Sequence, residues 1–279
     1  MVIRKMNSIN TNIGAMIALQ NLNSINADLM TTQNRVSTGL KVASAKDDPS
    51  AWAIAQSERS QVSSLDAVKD SLSRSSSAID VAMTAGESIS DLLSQLKEKA
   101  LEASDTSLDT TSRQALNTDF IAIRKQITQT LANADFNGIN LLDGSRSSIS
   151  ALAGVDASNR MTVAAHNLSL GGTIITLSAN AGFATATSAS ALLSSLTASI
   201  NNVSSALASF GTSSKALDSQ QTFVGKLQDS LNGAIGDLVD ADMARESANL
   251  QALQVKQQLA IQALSIANQS SSYLLKLFQ

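Results

Sequence analysis

Seven apolar residues recur at a strict interval of seven late in the chain: Leu196, Val203, Phe210, Leu217, Val224, Leu231 and Leu238. A second row, Leu193, Ile200, Leu207, Ser214, Gln221, Gln228 and Ile235, sits three residues before it. Two rows offset by three and four form the a/d seam of a left-handed coiled coil, here wetter in its middle. Ala51 to Ala103 repeats the pattern, with one row at Leu65, Leu72, Ile79, Gly86, Leu93 and Ala100. Its companion row is Ile54, Gln61, Val68, Ser75, Ala82, Ile89, Leu96 and Ala103. A helix of about 50 residues is roughly 75 Å long. A compact domain of this chain length has a radius of gyration of only about 19 Å. These two segments therefore predict a helical rod.

Composition removes most chemistry. The 279 residues include no Cys and one His, which excludes thiolate metal sites, a Cys nucleophile and a multi-histidine centre. His166 stands alone in a turn-rich stretch and reads as an exposed turn histidine. No phosphate-binding glycine loop is present, and Asp237, Asp240 and Asp242 lack the spacing of a calcium loop. They read as carboxylates favourable at the N-terminus of the last helix. A net charge of −3 argues against nucleic acid as a partner. No apolar run is long enough to span a bilayer, and Met1 to Asn12 lacks the apolar core of a signal peptide. The expectation is a protein with no cofactor, no metal and no enzymatic activity.

Pro49 suits the first turn of the Ala51–Ala103 helix, with Asp47 or Asp48 as its cap. A shorter helix carries Leu116, Phe120, Ile123, Ile127, Leu131 and Ala134 on one face and opens at Asp109 or Thr110. Asn137-Gly138 and Asp143-Gly144 then bracket the apolar run Ile139 to Leu142, a strand-and-turn signature. Arg160 to Ala165 and Thr173 to Leu177 are further candidate strands. A small β segment at about 137–185 thus lies between two helical halves.

Both ends continue the heptads. Ala15, Leu22, Leu29 and Val36 form one row, with Ala18, Ile25 and Thr32 as the other. At the far end Leu250, Gln257, Leu264, Ser271 and Phe278 accompany Leu253, Ala260, Ala267 and Leu274. This last helix has more apolar residues than one seam uses, because Val255, Leu259, Ile266 and Tyr273 make a second stripe. A helix apolar on several faces has to be covered on several faces. The N-terminal helix covers one, so the other points to neighbouring copies. Leu22, Leu29, Val36, Leu250, Leu253, Leu264 and Leu274 are the subunit-packing candidates. Residues 1–46 sum to +4 and residues 237–246 to −3, which favours association of the two ends.

Several stretches resemble bacterial flagellin. At the N-terminus they are Ser8-Ile9-Asn10-Thr11-Asn12, Arg35-Val36-Ser37-Thr38-Gly39 and Ser44-Ala45-Lys46-Asp47-Asp48. Phe136 to Gly144 is similar to the family's turn after a domain helix. Asp240-Ala241-Asp242-Met243-Ala244, Ala267-Asn268-Gln269 and Leu274-Leu275 carry the C-terminal likeness. The resemblance implies a mainly α fold: a long coiled-coil rod with a small β-hairpin subdomain, plus a terminal two-helix coiled coil. It places an inner domain at 1–45 and 240–279, and the rod at 46–239.

The implied function is a structural subunit that polymerises into the flagellar filament for swimming. A hook–filament junction protein shares the same end patterns, and a soluble coiled-coil signalling adapter is the reading from another class. Implied partners are other copies of itself, hook-associated and cap proteins, the flagellar export apparatus and a chaperone. Neither nucleic acid nor membrane insertion is implied. The implied location is the extracellular filament, reached without a cleaved signal peptide.

Two departures stand out. Pro49-Ser50-Ala51-Trp52 replaces the family's usual Ala-Ala-Gly-Leu. Gln95 and Lys99 occupy positions where flagellins recognised by the host innate-immune receptor carry Arg and Leu, so the resemblance here implies weak receptor activation. Asn167-Leu168-Ser169 and Asn202-Val203-Ser204 match a glycosylation triplet, although O-linked sugar in the Ser/Thr-rich middle fits the family better.

Overall fold

The computed structural model describes residues 11–277, with side chains described from 11 to 269. Five helices and two hairpins run in the order α1 (Ile13–Thr38), α2 (Pro49–Ala103), α3 (Thr110–Ala132), β1 (Asp135–Phe136), β2 (Ile139–Asn140), β3 (Ser148–Leu152), β4 (Arg160–Ala164), α4 (Ala186–Val239) and α5 (Met243–Leu277). The chain divides into two compact units, one of residues 1–60 and 231–279, the other of 61–230.

Helix boundaries follow local chemistry. Asp48 Oδ1 accepts the backbone N–H groups of Ser50 and Ala51, so Asp48 caps α2 ahead of Pro49. Asp47 instead closes the preceding loop by accepting from Ala43 and Ser44. Asp109 caps α3 through Ser112 N, at 2.9 Å. Thr185 and Ser188 exchange hydrogen bonds in a capping box that opens α4, with Ser188 standing where Glu or Gln is usual. Gly39, at φ 73°, ends α1 in the left-handed conformation that a side chain resists, and its N–H bonds Arg35 O.

The second unit has a continuous core. Leu65, Val68, Leu72, Ile79, Ala82, Ile89, Leu93 and Leu96 of α2 are all buried, as are Leu196, Val203, Phe210, Leu217 and Val224 of α4. The two helices meet closely at Gly86, where an added Cβ would lie 2.6 Å from Leu207 Cδ2. The polar middle of the seam is also used. Gln228 Nε2 donates to Asp66 Oδ1 at 2.7 Å and to Val62 O at 3.3 Å. The α4 seam is broader than two rows, since Ser199 and Ala206 are buried while Leu193, Ile200 and Leu207 are half-buried. The strap described below reaches the extra row at Ser199.

The Phe136–Asp143 motif builds a tight hairpin. Asn137 and Gly138, at φ 54° and 75°, form its two-residue turn, and Phe136 pairs with Ile139. Buried Asn140 uses both ends of its amide. Its Nδ2 donates to Leu131 O, and its Oδ1 accepts from Leu142 N and Asp143 N. β3 and β4 pair antiparallel from Ser148–Ala164 to Leu152–Arg160, with Ile149, Ala151 and Val163 on the buried side.

Two expectations need correction here. Ser148–Leu152 is a strand that the turn signals did not single out. Thr173–Leu177 is not a strand, because its backbone groups bind side chains and loop atoms instead of a ladder. Thr176 N donates to Ser199 Oγ at 3.1 Å, and Leu177 O accepts from Gly171 N. Residues 165–185 form an irregular strap that buries Leu168, Ile175, Leu177 and Phe183. Phe183 meets Phe120 of α3 edge-on at 5.2 Å, and its N–H bonds Asn117 Oδ1.

His166 belongs to this strap and is not an exposed turn residue. Its ring packs edge-on against buried Phe210, with centroids 4.9 Å apart, and its Nε2 is buried without a hydrogen-bond partner. Desolvation holds its pKa below the ordinary value.

Candidate functional site

In the first unit α1 and α5 pair antiparallel. Asn12 Nδ2 donates to Ala267 O at 2.7 Å, and Gln257 Nε2 donates to Asn26 Oδ1 at 2.7 Å. Arg35 Nη1 lies 3.5 Å from Glu246 Oε1, an ion pair joining the basic and acidic ends of the sequence. The Leu40–Asp240 bridge continues the pairing, with Lys41 N and Val42 N donating to Val239 O and Ala241 N donating to Gly39 O. Asp242 caps α5 by accepting from Ala244 N and Arg245 N. Asp237 lies in the last turn of α4, so it is not one of the N-terminal charges of α5.

The heptad rows face this pairing. Leu29 and Thr32 are buried, and Leu22, Ile25, Val36, Leu250, Leu253, Ala260 and Leu264 are half-buried. Among the candidate packing residues, then, Leu22, Leu29, Val36, Leu250, Leu253 and Leu264 sit on the seam within one chain. Leu274 lies in α5, but its side chain falls outside the described residues, as do those of Ser271, Tyr273 and Phe278.

The second stripe is bare. Val255, Leu259 and Ile266, which share one face of α5, are exposed, the last by 69%, and Ile261 is exposed on a different face. Sequence reasoning found this stripe through its excess over one seam. It missed the matching surface on α1, where Ile13, Met16, Ile17, Leu19 and Met30 are also exposed. The available signal was the same: Met16, Leu19 and Met30 lie off both heptad rows. A groove of about 660 Å³ runs beside the pairing, lined by Ile17, Ile25, Leu259 and small side chains such as Ala18 and Ala263. Scattered exposed apolar residues are ordinary, but rows of them on two paired helices mark an interaction surface.

In the rows of α2 and α4, burial is incomplete within this first unit, although Ile235 stays buried, as do the off-row Ala55 and Val239. Ile54 is exposed, and Leu231 and Leu238 are half-buried. The heptad positions there correspond to a weaker seam than the spacing alone implies. On α2, Leu96 is buried and Gln95 exposed, while Lys99 Nζ lies 3.1 Å from Glu102 Oε2.

Long paired helices, a small β appendage and unpartnered apolar faces at both ends define a helical structural protein built to associate. Similarity to known proteins makes this specific. The profile of the bacterial flagellin N-terminal helical region matches residues 9–147, and that of the C-terminal helical region matches 193–278. The chain belongs to the bacterial flagellin family, and it is a structural subunit of the flagellar filament. Flagellin FljM of Caulobacter vibrioides is 54% identical over 274 residues, covering 98% of this chain and 99% of the relative. A flagellin of Brucella melitensis is 38% identical, covering 98% and 100%. Among solved structures, a Bacillus cereus flagellin has a TM-score of 0.50 at 19% identity, covering 55% of this chain and 88% of the other. A flagellar hook-associated protein of Vibrio parahaemolyticus has a TM-score of 0.58 at 17% identity, covering 70% and 100%. These two likenesses concern the fold alone.

Proposed function

We propose that assembly runs through the bare stripes of α1 and α5, while the seam residues Leu22, Leu29, Val36, Leu250, Leu253, Leu264 and Leu274 set up the helix pair that presents them. The observation that carries this reading is the exposure of Val255, Leu259 and Ile266 on a helix already paired along another face. In this reading residues 1–45 and 240–279 act as the inner domain, 46–239 as the rod, and the chain serves structure rather than catalysis. Hook-associated and cap proteins, the export apparatus and a chaperone are its further partners, and the chain leaves the cell without a cleaved signal peptide. The test is Ile266→Asp, examined by electron microscopy under assembly conditions. Because Ile266 is exposed in the single chain, the monomer keeps its stability within about 0.5 kcal/mol while filaments fail to form. Filaments of ordinary yield from this variant would refute the assignment.

The same chain is proposed to be a weak agonist of the host receptor. Gln95 lacks the planar, bidentate fork of Arg, and Lys99 is tied to Glu102. Loss of a central interface contact of this kind costs about 2 kcal/mol, or roughly thirtyfold in affinity. Gln95→Arg with Lys99→Leu is expected to restore part of the signalling in a receptor reporter assay. Strong signalling by the unmodified chain would end this reading.

A further inference from the structure

Three arginines from three separate elements line one pocket of about 420 Å³ in the second unit. Arg74 comes from α2, Arg146 from the loop joining β2 to β3, and Arg160 opens β4 opposite Leu152. Among the described residues no carboxylate lines this pocket, and none of the three guanidinium groups makes an ion pair. Arg160 commits only its Nε, which donates to Ala157 O at 3.2 Å, so its two terminal nitrogens stay available.

Nearby carboxylates are occupied elsewhere or stand apart. Asp135 Oδ1 accepts from Gly138 N inside the hairpin turn, and Asp156 holds Ser158 and Asn159. Asp70, one helical turn before Arg74, forms no ion pair with it. All three arginines are exposed, so water and salt screen their mutual repulsion, and a bound anion would lower it further.

The geometry narrows the ligand. Arg presents a planar fork that matches the oxygens of phosphate, and several such forks suit a doubly charged group better than a single carboxylate. The volume falls among small-molecule sites, about 300–1,000 Å³, and exceeds what a bare oxyanion fills. The half-buried ring of Phe136 and the exposed amide of Asn137 also line it, offering an apolar face and a hydrogen-bonding group beside the cations. Neither family profile reaches Arg160, which lies between their matches at 9–147 and 193–278.

We propose that this pocket binds a phosphorylated sugar, with the phosphate held by Arg74, Arg146 and Arg160 and the sugar ring resting on Phe136. The chain's net charge of −3 repels anions at long range, so saturable uptake reports this local cluster and not a general attraction.

Equilibrium dialysis of the full-length monomer against glucose 1-phosphate, inorganic phosphate and glucose tests it. Expected are one saturable site for glucose 1-phosphate, weaker binding of inorganic phosphate and none of glucose. Affinity falls severalfold when salt is raised about tenfold. Arg74→Gln, Arg146→Gln and Arg160→Gln combined weaken binding at least about tenfold, as loss of charge-assisted contacts requires. Arg59→Gln, an exposed arginine outside the pocket, leaves it unchanged. Arg146→Gln alone, on an exposed loop residue, still weakens binding if the triple variant does not fold. Binding of glucose as tight as of its phosphate would overturn the proposal, as would undiminished binding by Arg146→Gln and the triple variant. Inorganic phosphate binding as tightly as the sugar phosphate would overturn the part played by Phe136.

Discussion

Helices α4 and α5 carry the same heptad spacing and reach opposite states. In the second unit, Leu196, Val203, Phe210, Leu217 and Val224 of α4 are all buried, with the strap reaching α4 at Ser199 and Phe210 and Ala153 after β3 reaching it at Gln220. In the first unit, Leu250 and Leu264 of α5 are only half-buried against α1, and the off-seam Ile266 is bare. The difference is the number of covering surfaces. A helix pair buries one stripe of each member, whereas a third layer closes what the pair leaves open. Burial of a Leu or Ile side chain stabilises by about 1.5–3 kcal/mol. On the assembly route proposed above, the first unit gains the rest of its apolar burial only when other copies cover it.

The largest effect that would separate the two regions comes from Leu264→Asp. Its carboxylate would enter the α1–α5 seam with no partner, which is strongly unfavourable. Filament formation is expected to be abolished, while the second unit keeps its thermal transition by circular dichroism. Normal filaments from this variant would place Leu264 off the seam.

Phe210→Ala probes the other region. Removing a fully buried ring is expected to cost about 3–5 kcal/mol, through lost burial and the cavity left behind. Calorimetry should find the loss in the second unit, with hydrogen exchange in α1 and α5 of the monomer unaltered. A shift confined to α1 and α5 would mean that the regions had been assigned the wrong way round.

A smaller effect depends on pH. Desolvation lowers the pKa of His166 in the folded state, so the unfolded chain takes up its proton first as pH falls. Stability rises with pH where the unfolded state binds more protons. The contribution of His166 is thus intact above the ordinary value of 6.5 and is lost as pH drops below it toward the lower folded value. His166→Gln is expected to flatten the dependence of the second unit's melting temperature between about pH 7 and 5. Identical slopes in both proteins would exclude the His166 imidazole as their source.

The smallest expected change is Arg35→Gln. The ion pair with Glu246 is long and partly solvated, so its loss should cost less than about 1 kcal/mol, and less again in high salt. A double-mutant cycle with Glu246→Gln measures the pair directly. A coupling several times larger would show that charge, not apolar packing, holds the terminal helices together.

Most of the helical architecture was legible because periodicity is a local record of which face is covered. The rows through Leu196 and Leu65, the caps Asp109 and Asp48, and the Asn137-Gly138 turn all follow from spacing or from a preference confined to a few residues. The surplus stripe at Val255, Leu259 and Ile266 was equally legible, since one seam cannot use it. By contrast, the strap at 165–185 has no period. Thr176 finds its partner in Ser199, and Asn117 finds Phe183, at separations no local pattern encodes. His166 read as exposed because it stands in a turn-rich stretch beside Asn167, yet its ring packs on Phe210, far along the chain.

The sequence by itself determined where helices run, where they stop and which faces are apolar, because these depend on backbone propensity and on residues three or four apart. Only the tertiary structure decided which apolar face is covered and which is left bare. It also decided that an irregular strap reaches the extra row of α4 at Ser199, and that Arg74, Arg146 and Arg160 line one pocket. Coverage and convergence depend on distances between residues far apart in the chain, and those distances exist only once the helices have packed.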